Sequence, residues 1–159
     1  MGKGGPKTWV EISKKALVAN AKTFRRRVYL HLKAETGTTR QGADLRDLPD
    51  MANAIKHSAH LILDGLSTHY ANIENATDQA YAAGQLETYL NAIEILEANG
   101  LYPIMRHTAC TSADVLFPDT HFNLVRVGIG LYGLWPSLET KLEAQAQGLE
   151  IDLCAALAW

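Results

Sequence analysis

The sequence predicts an α/β fold built from about half of a barrel of parallel strands. Between Val28 and Glu150, short apolar segments of strand character alternate with helical periodicity, as in parallel β/α units. This stretch holds about 120 residues, whereas a complete TIM barrel takes about 250. The 159 residues, 47% of them hydrophobic, are enough to bury one core. We therefore expect a partial (β/α) TIM-type barrel with an N-terminal strand and helix and a C-terminal stray strand.

Local patterns divide the chain into four parts. Residues 1–6 are rich in glycine and are expected to be flexible. Residues 7–27 predict a strand and then a helix, with Ser13 placed to cap the helix. Residues 28–148 carry the half barrel. In 149–159 apolar residues recur at a spacing of two, which predicts the first strand of a further β domain.

The half barrel is expected to contain four strands and three helices. Its strands are predicted near 28–34, 61–68, 103–107 and 123–127, and its helices near 49–59, 77–98 and 111–116. Pro49 suits the first turn of a helix. Asn99 and Gly100 are expected to end the long helix.

Composition argues against several classes of function. The net charge of −2 gives no basic surface for nucleic acid, and no apolar run approaches the ~20 residues of a membrane helix. Cys110 and Cys154 lack metal-type spacing and no secretory signal is recognisable, so a reducing cytoplasm is expected. His57 and His60 have no third ligand near them in sequence, so no metal site is predicted.

Four ordered segments carry a family resemblance. In 123–137, one arginine stands between an apolar strand and a glycine-rich turn; the other segments are 29–37, 67–71 and 107–113. In order and spacing these segments resemble the alanine racemases, which interconvert L- and D-alanine with pyridoxal phosphate (PLP) in a barrel domain. The resemblance covers nearly the whole chain, and 7–27 matches the start of the family.

The resemblance implies five residues beside the cofactor. Thr111 matches a serine that contacts the phosphate, and Gly128 and Ile129 match backbone amides that do the same. Arg126 matches the arginine that faces the pyridine nitrogen, and His69 matches a histidine packed beside the ring. Since a guanidinium can only donate, it would leave the ring nitrogen unprotonated.

Each of these assignments has an ordinary structural alternative. Thr111 could merely cap the short helix, Arg126 could form a salt bridge at a strand end, and His69 could be structural. His107 is expected to be a packed, hydrogen-bonded residue.

On the substrate side, Lys33 and Arg40 match a family pair. In the family the lysine is often carbamylated and positions the arginine near the substrate carboxylate. Several neighbouring residues depart from the family pattern: Glu35, Thr38, Thr39, Gln41, Cys110 and Val127.

The sequence also lacks the family segment Lys-Ala-Asn-Ala-Tyr-Gly, whose lysine holds PLP as a Schiff base. Arg27 runs directly into Val28, where the first half of the barrel has been skipped. The family's second base is a tyrosine from the C-terminal β domain of the partner subunit, and we expect that domain to be absent here as well. We therefore assign no catalytic residue and expect the isolated chain to be inactive.

Two alternatives remain open. The chain could bind PLP or another phosphorylated ligand non-covalently, or it could be a ligand-free oligomeric half barrel. Open edges of the sheet favour a homo-oligomer, such as a homodimer in which two halves complete one sheet. The expected small-molecule partners are a phosphorylated cofactor or a small amino acid.

Overall fold

The computed structural model describes residues 27–75 and 78–156, so the predicted N-terminal strand and helix lie outside the described residues. The described residues contain three strands: β1 (Val28–Lys33), β2 (Leu61–Ser67) and β3 (Met105–His107). The α-helices are α1 (Leu48–Lys56), α2 (Ala80–Ala98), α3 (Thr111–Leu116) and α4 (Leu138–Ala146). Short 3-10 helices span Leu45–Asp47, Pro118–Thr120 and Ile129–Tyr132.

The strands form one parallel sheet in the order β1-β2-β3. Lys33 pairs with Ser67, and Ser67 pairs with His107. The carboxyl ends of all three strands therefore lie at the same edge of the sheet. In α/β proteins this edge is where ligands bind.

Helices α1 and α2 pack with the sheet in one hydrophobic core, as parallel β/α units require. The buried members of this core are Leu32, Ala34, Leu48, Ala52, Ile55, Leu63, Leu66, Tyr89, Ala92, Ile93 and Leu96. A smaller cluster under the loop after β2 holds Tyr70, Ile73, Ala82, Ala109 and Ala113. The helices thus cover one face of the sheet and leave its carboxyl edge open for a site.

Most of the predicted elements of the half barrel are confirmed. Pro49 lies in the first turn of α1, and α3 spans the predicted 111–116. The long helix ends at Asn99, followed by Gly100 with a φ of +72°. That left-handed backbone conformation is one that glycine adopts without strain.

The fourth predicted strand, 123–127, is wrong. The segment lies beside β3 and makes two separate backbone bonds, from Asn123 N to Arg106 O (3.4 Å) and from Arg126 N to Ala109 O (3.1 Å). The Asn123 side chain takes the places of the next ladder bonds, accepting from Arg106 N at 2.7 Å and donating to Ile104 O at 2.6 Å. A regular strand therefore does not form there.

The predicted C-terminal strand is also wrong for residues 149–156, which have no regular secondary structure. One backbone bond, from Ala156 N to Tyr132 O (3.2 Å), ties this segment to the glycine-rich turn. Its apolar alternation has no neighbouring strand to pair with among the described residues. Conversely, α4 was not predicted, although Ser137 caps it by accepting from Thr140 N at 3.0 Å. None of the helices in the described part of the chain is long and apolar enough to span a membrane.

Candidate functional site

A cavity of about 240 Å³ opens at the carboxyl edge of the sheet. Its lining residues are His69, Glu74, Cys110, Thr111, Ser112, Arg126, Gly128, Ile129 and Pro136. The structure thus brings together all five residues expected beside the cofactor, from the loops after β2 and β3 and from the glycine-rich turn.

Arg126 is held by acceptors at the ends of two strands. Its Nη1 donates to the His107 carbonyl at 3.0 Å, and its Nη2 donates to the carbonyls of Thr68 (2.7 Å) and Thr108 (3.2 Å). Among the described residues it forms no ion pair, so the alternative of an ordinary salt bridge is wrong. Within the described part of the chain, the guanidinium therefore has no carboxylate in direct contact, and Glu74 is the acidic residue that lines the same cavity.

The Arg126 side chain also fixes the protons of two histidines. Its Nη1 lies 2.5 Å from His107 Nδ1, and because arginine only donates, that nitrogen must be unprotonated. The proton of neutral His107 is then on Nε2, which donates to His31 Nδ1 at 2.8 Å. His31 in turn keeps its proton on Nε2, which lies 3.4 Å from Asp64 Oδ2. A directed chain of hydrogen bonds thus runs from Arg126 to the Asp64 carboxylate.

Burial and charge keep His107 neutral. Its side chain is buried, and desolvation, followed by the charges of Arg126 and His31, lowers the pKa of His107 to about 4. Desolvation also lowers the pKa of Arg126. His107 is thus packed and hydrogen-bonded, as the sequence suggested.

Gly65 makes room for this histidine pair. The register between β1 and β2 shifts after Leu30, so that His31 pairs with Gly65. A Cβ at position 65 would lie 2.7 Å from His31 Nδ1 and 2.8 Å from the Met105 carbonyl oxygen. Both distances are too short for a Cβ atom. Only glycine at position 65 therefore leaves room for the His31 ring.

The Thr111 hydroxyl binds the glycine-rich turn. Its Oγ1 accepts from Gly128 N at 3.1 Å and from Gly130 N at 3.5 Å, whereas the N-cap position of α3 is occupied by Cys110 and Thr111 is the first residue of the helix. The helix-cap alternative is therefore wrong. Within the described chain, the hydroxyl proton of Thr111 and the amide of Ile129 have no acceptor in the protein. Both face the same cavity and remain available to an anion.

His69 is half-buried and lies in a field of cations. Desolvation, followed by the charges of Arg40, Arg126 and Lys33, lowers the pKa of His69, while Glu74 opposes the shift. Its ring is therefore favoured as a neutral hydrogen-bonding group. Glu74 also lies 3.4 Å from the Ser112 hydroxyl that donates to it.

Lys33 and Arg40 do not line the cavity. Lys33 Nζ donates to Gln41 Oε1 at 3.3 Å. Gln41 is one of the residues that depart from the family pattern, so this hydrogen bond depends on that departure. Burial and the charges of Arg40 and Arg126 lower the pKa of Lys33. The positive charges of Lys33 and Arg40 thus act electrostatically on His69, although neither residue lines the cavity.

The sequence did not predict every residue of the site. Glu74, Ser112 and Pro136 line the cavity, and Gln85 and Tyr89 lie behind it in α2. A usable signal existed for Gln85 and Tyr89: both are polar and both fall on the apolar face of the helix. Among the described residues, no three His, Cys, Asp or Glu side chains form a group that could hold a metal ion.

Residues 10–136 match the sequence profile of the alanine racemase N-terminal domain. The chain belongs to the alanine racemase family. Alanine racemase from Leptospira interrogans is 32% identical over 155 residues, covering 97% of this chain and 40% of that protein. Alanine racemase 2 from Oceanobacillus iheyensis is 36% identical over 122 residues, which is 76% of this chain and 30% of that protein.

Solved alanine racemases share the fold. The Bacillus anthracis enzyme, solved with bound L-Ala-P, superposes with a TM-score of 0.77 at 28% identity, over 91% of this chain and 37% of that one. The Streptomyces lavendulae enzyme gives a TM-score of 0.73 at 29% identity, over 84% of this chain and 35% of that one. The predicted family and the partial barrel are confirmed. The chain spans about two fifths of the length of the curated alanine racemase from L. interrogans.

Proposed function

We propose that this chain is an alanine racemase-type half barrel that binds PLP non-covalently and does not racemise alanine by itself. The observation that supports the proposal is the single cavity that collects Thr111, Gly128, Ile129, Arg126 and His69. When bound, PLP supplies the electron sink that acidifies the α-proton of an amino acid.

The phosphate end of the ligand is assigned to the glycine-rich turn. The Thr111 hydroxyl and the Ile129 amide have no protein acceptor among the described residues, and the Gly128 amide bonds only to Thr111. The first two groups are free to donate to an anion, whereas the Gly128 amide already donates to the Thr111 hydroxyl and would be shared with it. Gly130 approaches Thr111 so closely that a Cβ there would lie 2.7 Å from Thr111 Cγ2, which keeps the turn folded over the hydroxyl.

The ring end is assigned to Arg126 and His69. Arg126 has four acceptors in the protein on Nη1 and Nη2, while its Nε makes no hydrogen bond to the described residues. A guanidinium fixed in this way is oriented before a ligand arrives and can donate to a ring nitrogen without accepting its proton. Neutral His69 at the cavity wall provides an imidazole for contact with the ring.

The absence of covalent attachment is proposed on two grounds. The printed sequence lacks the family's lysine segment, and no lysine of the described residues lines the cavity. With no lysine of the described residues at the cavity, one proton-transfer group and the anchor for PLP are both proposed to be lost. Losing one general base alone costs about 10²- to 10⁴-fold in rate.

The wider properties of the family enter as part of the same proposal. A cytoplasmic location is supported by two free cysteines, Cys110 and Cys154. A homo-oligomer is supported by the position of β1 at one end of the sheet, where among the described residues only β2 pairs with it. A small amino acid such as alanine is the proposed second ligand.

Titration of the full chain with PLP, followed by absorbance and tryptophan fluorescence, tests the proposal. We expect saturable binding that borohydride reduction does not convert into a PLP-modified peptide. Arg126→Ala and Thr111→Val should each weaken binding about tenfold or more, since each removes a charged or hydroxyl donor. Arg46→Ala, at an exposed ion pair with Asp44, is the matched control and should bind as the original chain does.

Two results would overturn the proposal. One is the absence of saturable PLP binding, which would favour a ligand-free half barrel. The other is a reduced PLP–lysine peptide together with measurable racemisation of alanine, which would show covalent attachment and activity.

A further inference from the structure

Helix α2 places two buried polar side chains one turn apart. Gln85 is 1% exposed and Tyr89 is 0% exposed, on a helix face that otherwise buries Ala82, Ala92 and Ile93. Residues at i and i+4 share a face of a helix, so both side chains point toward the sheet. A buried amide or hydroxyl is costly unless it is hydrogen-bonded, and in this structure both are.

Gln85 binds the backbone on both sides of Tyr70, starting at the His69 carbonyl. Its Nε2 donates to the His69 carbonyl at 3.1 Å, and its Oε1 accepts from Ala71 N at 2.9 Å. The same Nε2 donates to Thr36 Oγ1 at 3.2 Å, and the Thr38 hydroxyl donates to the His69 carbonyl as well. One side-chain amide thereby fixes the peptide group that follows His69 and the next one along the chain.

Tyr89 binds the backbone of His107. Its hydroxyl accepts from His107 N at 3.2 Å and donates to the Leu66 carbonyl at 2.7 Å. The hydroxyl thus joins the ends of β2 and β3. Desolvation raises the pKa of Tyr89 to about 12, in keeping with a hydroxyl that stays protonated and donates. His107 in turn accepts from Arg126, so the hydroxyl lies two contacts from the guanidinium.

We propose that Gln85 and Tyr89 are positioning residues of the PLP site: one turn of α2 sets the backbone position of His69 and, through His107, the orientation of the Arg126 guanidinium. This rests on the proposed function for the identity of the ligand, but not for the positioning itself. Neither side chain lines the cavity, so each acts only through the residues that it orients. Groups that orient ligand-binding residues matter nearly as much as the binding residues themselves.

A purely structural role predicts a different outcome from a positioning role. If the two side chains only stabilise the core, loss of either should affect both histidines alike or neither. If they position the site, removing the polar group of one side chain should chiefly affect the histidine whose peptide it contacts. Gln85 contacts the His69 peptide, and Tyr89 contacts the His107 peptide.

The experiment compares three variants of the full chain. Gln85→Met removes the amide at similar volume, Tyr89→Phe removes only the hydroxyl, and Ile93→Val is the control in the same buried helix face. The ring resonances of His69 and His107 are followed against pH by NMR of histidine-labelled protein, without ligand. PLP affinity is measured in parallel.

We expect the His69 ring titration to shift in Gln85→Met, and that of His107 to shift in Tyr89→Phe, with neither shifting in Ile93→Val. Each positioning variant should bind PLP about tenfold more weakly than the original chain, the lower end of effects seen when an orienting group is lost. If Gln85→Met fails to fold, the His107 signal in Tyr89→Phe decides the question.

The proposal is overturned if the folded variants leave the histidine titrations unchanged, or if both histidines shift equally in every variant. A chain that does not bind PLP at all, yet shows the crossed pattern of histidine shifts, would refute the proposed function while supporting the positioning role.

Discussion

Arg126 illustrates how one residue type constrains its neighbours. Because a guanidinium only donates, the 2.5 Å contact with His107 Nδ1 determines the tautomer of His107 and then that of His31. The sequence predicted the importance of Arg126 but not its partners. Thr68 lies 58 positions away in sequence, and nothing local reveals that its carbonyl would accept from this side chain.

The lowered pKa of His107 predicts a pH-dependent stability. In the unfolded chain an imidazole takes up a proton near pH 6.5, whereas in the folded chain His107 does so only near pH 4. Between these values the unfolded state binds more protons, so stability is fully present above about pH 6.5 and is lost as the pH falls toward 4. The loss should be at most roughly 3 kcal/mol, since one pKa unit is about 1.4 kcal/mol.

Urea unfolding at a series of pH values measures this effect. His107→Gln should reduce the slope between pH 6.5 and 4, and the remaining slope should reflect His69, whose pKa is lowered in the same direction. An unchanged slope in His107→Gln would contradict the prediction.

Lys33 is expected to form a carbamate. Burial and the cations Arg40 and Arg126 lower its pKa and so raise the fraction of neutral amine, which is the form that adds to CO₂ with release of a proton. Incubation with ¹³C-bicarbonate should give a carbamate carbon signal in ¹³C NMR that is absent in Lys33→Arg. Lys56→Arg, which changes a lysine bonded to the Asn99 carbonyl, is the control. A signal that survives Lys33→Arg would assign it elsewhere.

At the scale of elements, the register between strands decides where the functional side chains lie. The pairing of Lys33 with Ser67 and of Ser67 with His107 aligns the strand ends, so that the loops after β2 and β3 meet. The sequence correctly predicted the alternation of strands and helices because periodicity is local. It failed for 123–127 because the Asn123 side chain takes the places of two backbone ladder bonds to the neighbouring strand, and only isolated backbone bonds remain.

Replacement of two glycines by alanine is expected to change the stability of the fold in opposite directions. Gly65→Ala would place a Cβ 2.8 Å from the Met105 carbonyl oxygen and 2.7 Å from His31, so it should destabilise the fold by about 1–3 kcal/mol. Gly84 lies within α2, and a Cβ there would meet nothing within 4 Å. Gly84→Ala should therefore stabilise the chain by about 0.4–1 kcal/mol through the unfolded state. Denaturant midpoints of both variants check this, and equal effects of the two would contradict it.

At the scale of the whole molecule, the sheet of the described residues ends at β1. Tyr29 on that strand is 63% exposed. Unpaired strand edges with apolar side chains favour association. The described part of the chain also exposes Tyr102, Ile104 and Leu131, each more than 60%.

We expect the chain to self-associate. Sedimentation velocity over a hundredfold dilution should show a falling mean sedimentation coefficient. Tyr29→Lys should shift the population toward the monomer, because a lysine on an edge strand opposes pairing. Lys141→Arg, which keeps the charge on α4, serves as the control. A monomer independent of concentration in the original chain would refute the prediction.

The sequence by itself determined the family and most of the order of strands and helices in the half barrel, and it proposed five residues that line one cavity. The element order follows from local periodicity, and the family follows from the order and spacing of four motifs; neither needs knowledge of distant contacts. The tertiary structure alone decided that Arg126 is held by carbonyls without a carboxylate, and that Gln85 and Tyr89 bind the peptides of His69 and His107. The physical reason is that these partners are far apart in sequence, and only the packing of α2 against a sheet in fixed register brings them within hydrogen-bonding distance.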